Sequence, residues 1–379
     1  MVQLRVLKSI DEVSPEAWNA LVPEGSPPVL KYEWIHAMEA SGSASKRAGW
    51  EPHHFAAFEG GILIGAAPAW RKHHSMGEYV YDFGWAQASH QFGVDYYPKL
   101  LVGVPLSPIT AQRFLGSERR ALAELAVKSA QAQGLSSIHI IFPPEDEAAE
   151  LESYNLGLFR RRGMQYHWKN PGYRTYDDYL SRFDSKRRHQ LRRERGAAAT
   201  QGITLRTVAG SALTAEHAKL AYRFYEATCE KNGWGGVQLN QKFFERAFAS
   251  MPGDLEMVLA ERNGKAIAGA FNLVSPKRLF GRYWGCFEDV PFLHFNVCLY
   301  HSVDECIRSG REVFEPGAGG EHKIPRGFEP TAIHSLHRAF DLRFDAALRD
   351  FCRRETAHVQ RVLAESTELA GLKPWAPQP

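Results

Sequence analysis

The chain has 379 residues, 44% hydrophobic and 23% charged, which is apolar material for two cores of ordinary domain size. A formal charge of +3 excludes a chain-wide polycation, so any nucleic-acid contact has to rest on a local patch. The opening Met1-Val-Gln-Leu-Arg-Val-Leu lacks the apolar core of a signal peptide, no apolar run is long enough to span a bilayer, and the five cysteines (Cys229, Cys286, Cys298, Cys306, Cys352) show no C-x-x-C spacing. These features predict a cytoplasmic protein with reduced thiols and no disulfide framework.

After a polar opening, Lys31 to Ser41 has helical spacing of apolar residues. The period changes at His54, where short β-suitable runs on either side of Glu59-Gly-Gly61 predict a hairpin ending near Trp70. A strand is expected over Lys99 to Pro105, an Ala- and Leu-rich helix over Glu118 to Gln133, and a buried strand from Ser136 to Phe142, closed by Pro143-Pro144. The second half repeats the order. Helices over Thr214 to Cys229 and Gln241 to Ala249 precede three strands, Leu255 to Glu261, Ala266 to Val274 and Arg278 to Phe287, the first two joined by a turn at Asn263-Gly264. A helix from Phe292 to Ile307 then leads to a strand at Glu312 to Phe314 and into Pro316-Gly-Ala-Gly-Gly320.

The two hairpins, Ala57 to Ala66 and Ala260 to Ala270, resemble each other, with one extra residue in the second turn. Duplication therefore predicts an α/β chain with a first domain over residues 1–170 and a second over 171–379. The second is opened by a basic helix whose Lys186, Arg187, Arg188, Arg192 and Arg193 form a cationic surface able to contact phosphates. A solvated face paired with Asp184 and Glu194 is the plainer reading of the same residues.

Glu321-His-Lys-Ile-Pro-Arg326 follows a glycine-rich strand end, where side chains can reach a slot between strands. Lys323 and Arg326 suit a phosphate or a developing oxyanion, and Glu321 or His322 suits acceptance of an amine proton. In the first half His90, Asp95, Tyr97 and Lys99 fall in a polar, aromatic loop of binding-site type, although tyrosine rings also pack in cores. His294, Cys298 and His301 share a helix face, but with no fourth partner we expect packing there and no metal. Arg113-Phe-Leu-Gly116-Ser-Glu118 reads either as a degenerate phosphate loop or as a helix start.

Gly269-Ala-Phe-Asn-Leu, Tyr283-Trp-Gly-Cys286, the helix through Asn296 and Phe314-Glu-Pro-Gly-Ala-Gly-Gly-Glu-His-Lys-Ile-Pro-Arg-Gly-Phe328 together resemble the second domain of FemAB-like transferases. Gly77-Glu-Tyr-Val-Tyr-Asp-Phe-Gly-Trp-Ala86 and Tyr96 to Pro105 resemble the first domain. The resemblance implies two tandem GNAT-like (acyl-CoA N-acyltransferase-like) domains with mixed, partly splayed sheets, the first on the acceptor side and the second on the donor side. It also implies substrate contacts at Trp85, Tyr283, Trp284 and Asn296. Better-known Fem enzymes move an aminoacyl group from tRNA to a peptidoglycan precursor. The expected reaction is thus amide formation on an amine acceptor, with aminoacyl-tRNA or acyl-CoA as co-substrate and no tightly bound cofactor. Where CoA enzymes of the superfamily carry R/Q-x-x-G-x-G/A, this chain has Phe287-Glu-Asp-Val-Pro-Phe-Leu-His294, acidic and without glycine. The alternatives are an acyl-CoA-dependent N-acetyltransferase and a non-catalytic RNA- or nucleotide-binding protein on a GNAT scaffold.

Overall fold

The computed structural model describes residues 1–233 and 236–375. The polar opening forms β1 (Val2–Leu7), which pairs antiparallel with β3, and short helices α1 (Pro15–Asn19) and α2 (Tyr32–Ala40) follow. Next come β2 (Trp50–Pro52), β3 (His54–Glu59), β4 (Ile62–Ala67) and β5 (Ala69–Lys72), then α3 (Phe83–Ser89), β6 (Lys99–Val102), β7 (Leu115–Gly116), α4 (Arg119–Ala132), β8 (Ser137–Ile141), α5 (Glu145–Ser153) and β9 (Phe159–Lys169). The predicted hairpin is β3–β4, with a register slip at Ala57/Phe58. Helix α4 lays Leu122, Ala123 and Ala126 against Phe55, Ala57 and Ile138 to make the first core. β6 runs parallel to β8, as a crossover helix requires.

The second half begins with α6 (Tyr176–Ser181), capped by Thr175, and α7 (Ser185–Thr200), capped by Asp184. It continues through β10 (Thr204–Ala209), α8 (Ala215–Asn232), α9 (Gln241–Ser250), β11 (Leu255–Arg262), β12 (Lys265–Val274) and β13 (Arg278–Cys286). The predicted helix at residue 292 is a continuous run of α10 (Leu293–Phe295), a π-helical turn at Asn296–Tyr300 and α11 (His301–Ser309), followed by β14 (Val313–Glu315). Strands β10 to β13 form an antiparallel meander, and its β11–β12 hairpin slips register at Ala260/Glu261, the position matching the slip in the first hairpin. α8 packs directly on the meander. A Cβ on Gly285 would lie 1.8 Å from the Phe224 carbonyl oxygen, so this approach of helix to strand requires glycine.

The chain ends with β15 (Glu329–Ala339) and α12 (Leu342–Ala370). The compact units do not divide at one point near residue 170. The first comprises residues 1–164 and 332–362, and the second 165–331 and, of the described residues beyond 362, 363–375. The reason is physical: β15 supplies the antiparallel partner of β8 through Ser335–Ala339, and α12 puts Phe344, Leu348 and Cys352 against Trp85, Tyr96 and Phe159 of the first unit. Both units are mixed α/β, with GNAT-like order of meander, crossover helix and parallel strand.

Candidate functional site

In the second unit β13 and β14 pair in parallel only from Arg278↔Val313 to Phe280↔Glu315. Beyond that point β13 runs on to Cys286 paired with β12 alone, while the chain after Glu315 turns away through Pro316. Gly317, Gly319 and Gly320 all take left-handed backbone (φ +90°, +72° and +96°) and deliver the tight turn Glu321–Arg326 to this splay.

Lys323 is 5% exposed, and its Nζ donates to the carbonyl oxygens of Gly317 (3.0 Å) and Gly319 (2.7 Å). With no carboxylate bonded to it, burial pulls its pKa down from 10.5 to about 8. The His322 ring lies 6.0 Å from that of His294, which rests 4.6 Å from Trp284. Burial, reinforced by the charges of His322, Lys323 and Arg326, lowers His294 to about 4, so it is neutral at pH 7. Trp284, Phe292, His294 and Phe295 line a cavity of about 340 Å³ at the start of α10. Its rim carries Glu288, ion-paired with Arg262, and Asp289, ion-paired with Lys231.

Arg326 does not reach this cavity as a free cation. Its Nη2 donates to Glu194 (2.6 Å), its Nε to the Tyr300 hydroxyl (2.9 Å) and its Nη1 to the His322 carbonyl (2.6 Å), and the guanidinium stacks 3.5 Å over Phe295. Three of its N–H donors and one face are committed, which makes it the anchor of the 321–326 turn. Asn296 is likewise structural: it is 1% exposed and donates to the carbonyls of Glu194 (2.9 Å) and Phe292 (3.0 Å). Glu321 and His322 are exposed, and Tyr283 is buried among Tyr225, Phe244 and Phe271. The sequence therefore located the turn, while Glu194 and Tyr300, which hold it, carried no local signal.

On α7 Lys186 and Arg193 are exposed. Arg187 bonds Gln190 (3.1 Å), Arg188 the Phe183 carbonyl (2.8 Å) and Arg192 Asp177 (3.0 Å). His294, Cys298 and His301 do not converge, because the π-helical turn intervenes and His301 bonds Thr207 (2.8 Å). No metal-type cluster of three occurs among the described residues.

In the first unit the expected loop is only partly a surface. His90 and Asp95 are exposed, and Tyr97 bonds Ser75 (2.7 Å). Lys99 has no exposure and is the hub of a buried network, donating to Glu78 (2.9 Å), Ser75 (3.1 Å) and Asp82. Burial raises Glu78 to about 7, against the opposing pull of Lys99. Trp85 is 4% exposed beneath Arg161 at 4.9 Å, so neither Trp85 nor Lys99 presents itself to a substrate. The Arg113 fragment is no phosphate loop. The amides of Arg113 and Phe114 donate to the Glu147 carboxylate (2.8 to 3.0 Å), and the Arg113 side chain is spent on the carbonyls of Ile109 and Ile141.

A repeated meander and crossover helix, splayed in the second half around a desolvated lysine, defines the chain as a tandem protein of the N-acyltransferase fold. The chain belongs to the FemAB-like family, described as peptidoglycan biosynthesis/recognition, whose model matches residues 9–374. Similar solved structures include the C-terminal domain (DUF2156) of a putative lysylphosphatidylglycerol synthetase from Agrobacterium fabrum, at 14% identity and TM-score 0.54 over 94% of this chain and 98% of that one. FemX is similar at 12% identity and TM-score 0.52 over 92% and 100% of the two chains. A conserved protein of unknown function from Bacteroides thetaiotaomicron follows at 10% identity and TM-score 0.52 over 89% and 99%. At these identities the likeness is one of fold. No curated protein sequence matches the chain. Among the described residues no helix is long and apolar enough to cross a membrane.

Proposed function

We propose that the chain transfers an aminoacyl group from an activated ester to an amine, forming an amide, with the donor carbonyl held beside Lys323 in the second unit and the acceptor bound by the first. The observation that carries this reading is the buried Lys323 ammonium at the splay of β13 and β14, bonded among the described residues to two glycine carbonyls. Attack by the amine forms the C–N bond and places negative charge on the carbonyl oxygen. An ammonium already stripped of water pays little reorganisation to meet that charge. As the C–O bond breaks, the ester oxygen leaves with a proton. A group titrating near 8 is well matched to supply it, and the amine gives up its own proton to water or to neutral His322.

We favour an aminoacyl ester, such as aminoacyl-tRNA, over acyl-CoA. Glu288 and Asp289 stand where a CoA enzyme needs open backbone amides for a pyrophosphate, and the segment from Phe287 to His294 carries no glycine to expose such amides. Lys186 and Arg193 on α7 offer exposed cations to a phosphate backbone. The family description points to a peptidoglycan precursor as the acceptor. The test supplies purified protein with labelled aminoacyl-tRNA or acetyl-CoA and a set of peptidoglycan precursor peptides, reading amide products by mass spectrometry. Product from aminoacyl-tRNA alone is expected. Product from acetyl-CoA alone would overturn the donor assignment, and product from neither would overturn the transferase reading.

A further inference from the structure

The first unit contains a cavity of about 200 Å³ that none of the groups discussed so far occupies. Its walls are largely apolar: Val80, Phe142, Met164, Ile333 and Val359, joined by Tyr79 and Tyr81. Seven non-glycine residues take left-handed backbone among the described residues, and three of them, Tyr79 (φ 59°), Tyr81 (φ 53°) and Phe142 (φ 55°), line this one cavity. Bulky residues avoid that region, and where the surrounding structure enforces it the positions are commonly ligand clamps.

The charged groups of the wall are nearly all committed. Arg161 is held by both carboxylate oxygens of Glu355 (2.6 and 2.8 Å) and by the Val80 carbonyl (2.6 Å). His334, also in the wall, pairs with Glu145 (2.6 Å) behind it. Arg162 remains. It lines the cavity, is half-buried, has neither hydrogen bond nor ion pair with the described residues, and acts on Glu145 and His334 only through its charge. A guanidinium set into an apolar wall with its donors unspent matches a single planar anion on an otherwise apolar molecule.

We propose that this cavity is a binding site for a small monocarboxylate with an apolar body, its carboxylate on Arg162 and its hydrocarbon or ring against Phe142, Ile333 and Val359. The site belongs wholly to the first unit and stands independently of the donor chemistry at Lys323. One face of the occupant meets Tyr81, which is 60% exposed and lines the cavity. Gly163 sets the depth of the cavity, because a Cβ there would come within 3.1 Å of Ile333 and push that side chain inward.

Isothermal titration of the full chain at low salt with octanoate, butyrate, phenylacetate and phenylpropionate tests this, with phenylpropionamide as the neutral isostere. Saturable binding of at least one carboxylate is expected, with phenylpropionate preferred over its amide by about tenfold or more, the scale of a hydrogen bond to a charged group. Arg162→Met should erase that preference, and Val359→Trp should abolish binding by filling the cavity, both with an unchanged melting temperature. Absence of saturable binding for all four carboxylates overturns the proposal. So does a preference that survives Arg162→Met, or binding that survives Val359→Trp.

Discussion

Replacing Lys323 with methionine keeps the volume of the side chain and removes its charge. The lysine titrates at about 8 in the folded chain against 10.5 when unfolded, and at 1.36 kcal/mol per tenfold this displacement means that holding the ammonium costs about 3 kcal/mol at pH 7. Methionine relieves that cost but leaves the carbonyls of Gly317 and Gly319 without a donor, at about 1 kcal/mol each. Lys323→Met should therefore be about 1 kcal/mol more stable than the parent at neutral pH. The pH dependence is the sharper readout. Below pH 8 both folded and unfolded chains hold the proton and the penalty is complete; as pH rises from 8 towards 10.5 the folded chain sheds the proton first, and the parent gains. Between pH 7 and 9.5 the parent should recover about 2 kcal/mol on the variant, measured by urea denaturation followed through tryptophan fluorescence. Turnover of the same variant should fall by about a hundredfold, the scale for loss of an electrostatic stabiliser. A stability difference that does not move with pH, or a variant with full turnover, would refute the reasoning.

Arg326→Ala strips a buried carboxylate, Glu194, of its cation and should destabilise the second unit by about 3 to 5 kcal/mol in urea or thermal melts, so any loss of activity will come with loss of structure. Changing Lys186 and Arg193 together to glutamine should leave melting unaltered and lower the slope of log affinity for tRNA against log salt by about 1.5 to 2; an unchanged slope assigns them to a solvated face. Gly285→Ala should abolish soluble expression or lower the melting temperature sharply, since the new methyl group meets the Phe224 carbonyl and the backbone on both sides is fixed.

Hairpins and crossover helices were legible because their signals are local. Glu59-Gly-Gly61 and Asn263-Gly264 mark turns between β-suitable runs, and both turns formed where expected. The glycines ahead of Glu321 likewise announced a sharp, chemically loaded turn. What escaped were strands and partners defined at long range. Strand β9 was not among the expected elements: Arg160 to Arg162 carry no local partner, and Arg160 and Arg161 find Glu145, Glu152 and Glu355 elsewhere in the chain. Lys99 looked like a ligand contact because its neutralising carboxylates, Glu78 and Asp82, lie across a loop of some twenty residues. Arg326 looked catalytic for the same reason: Glu194, which consumes it, is more than a hundred positions earlier. Charged residues are the hardest to read in this way, since burial with a partner and exposure to a substrate leave the same mark on a sequence.

The return of the chain to its first unit has a consequence for synthesis. When Ile141 leaves the ribosome, the antiparallel partner of β8 is still nearly two hundred residues away, and all of 165–331 must be made before Ser335–Ala339 can take that place. At ordinary elongation rates this is a wait of roughly ten to forty seconds. Throughout it the nascent first unit presents an apolar strand, Ser-Ile-His-Ile-Ile141, with one edge open, the geometry most prone to wrong pairing. Residues 165–331, the larger part of the second unit, are free to fold in the meantime. A nonsense codon just ahead of Ser335 would therefore release a chain that keeps residues 165–331 while β8 is left without its partner.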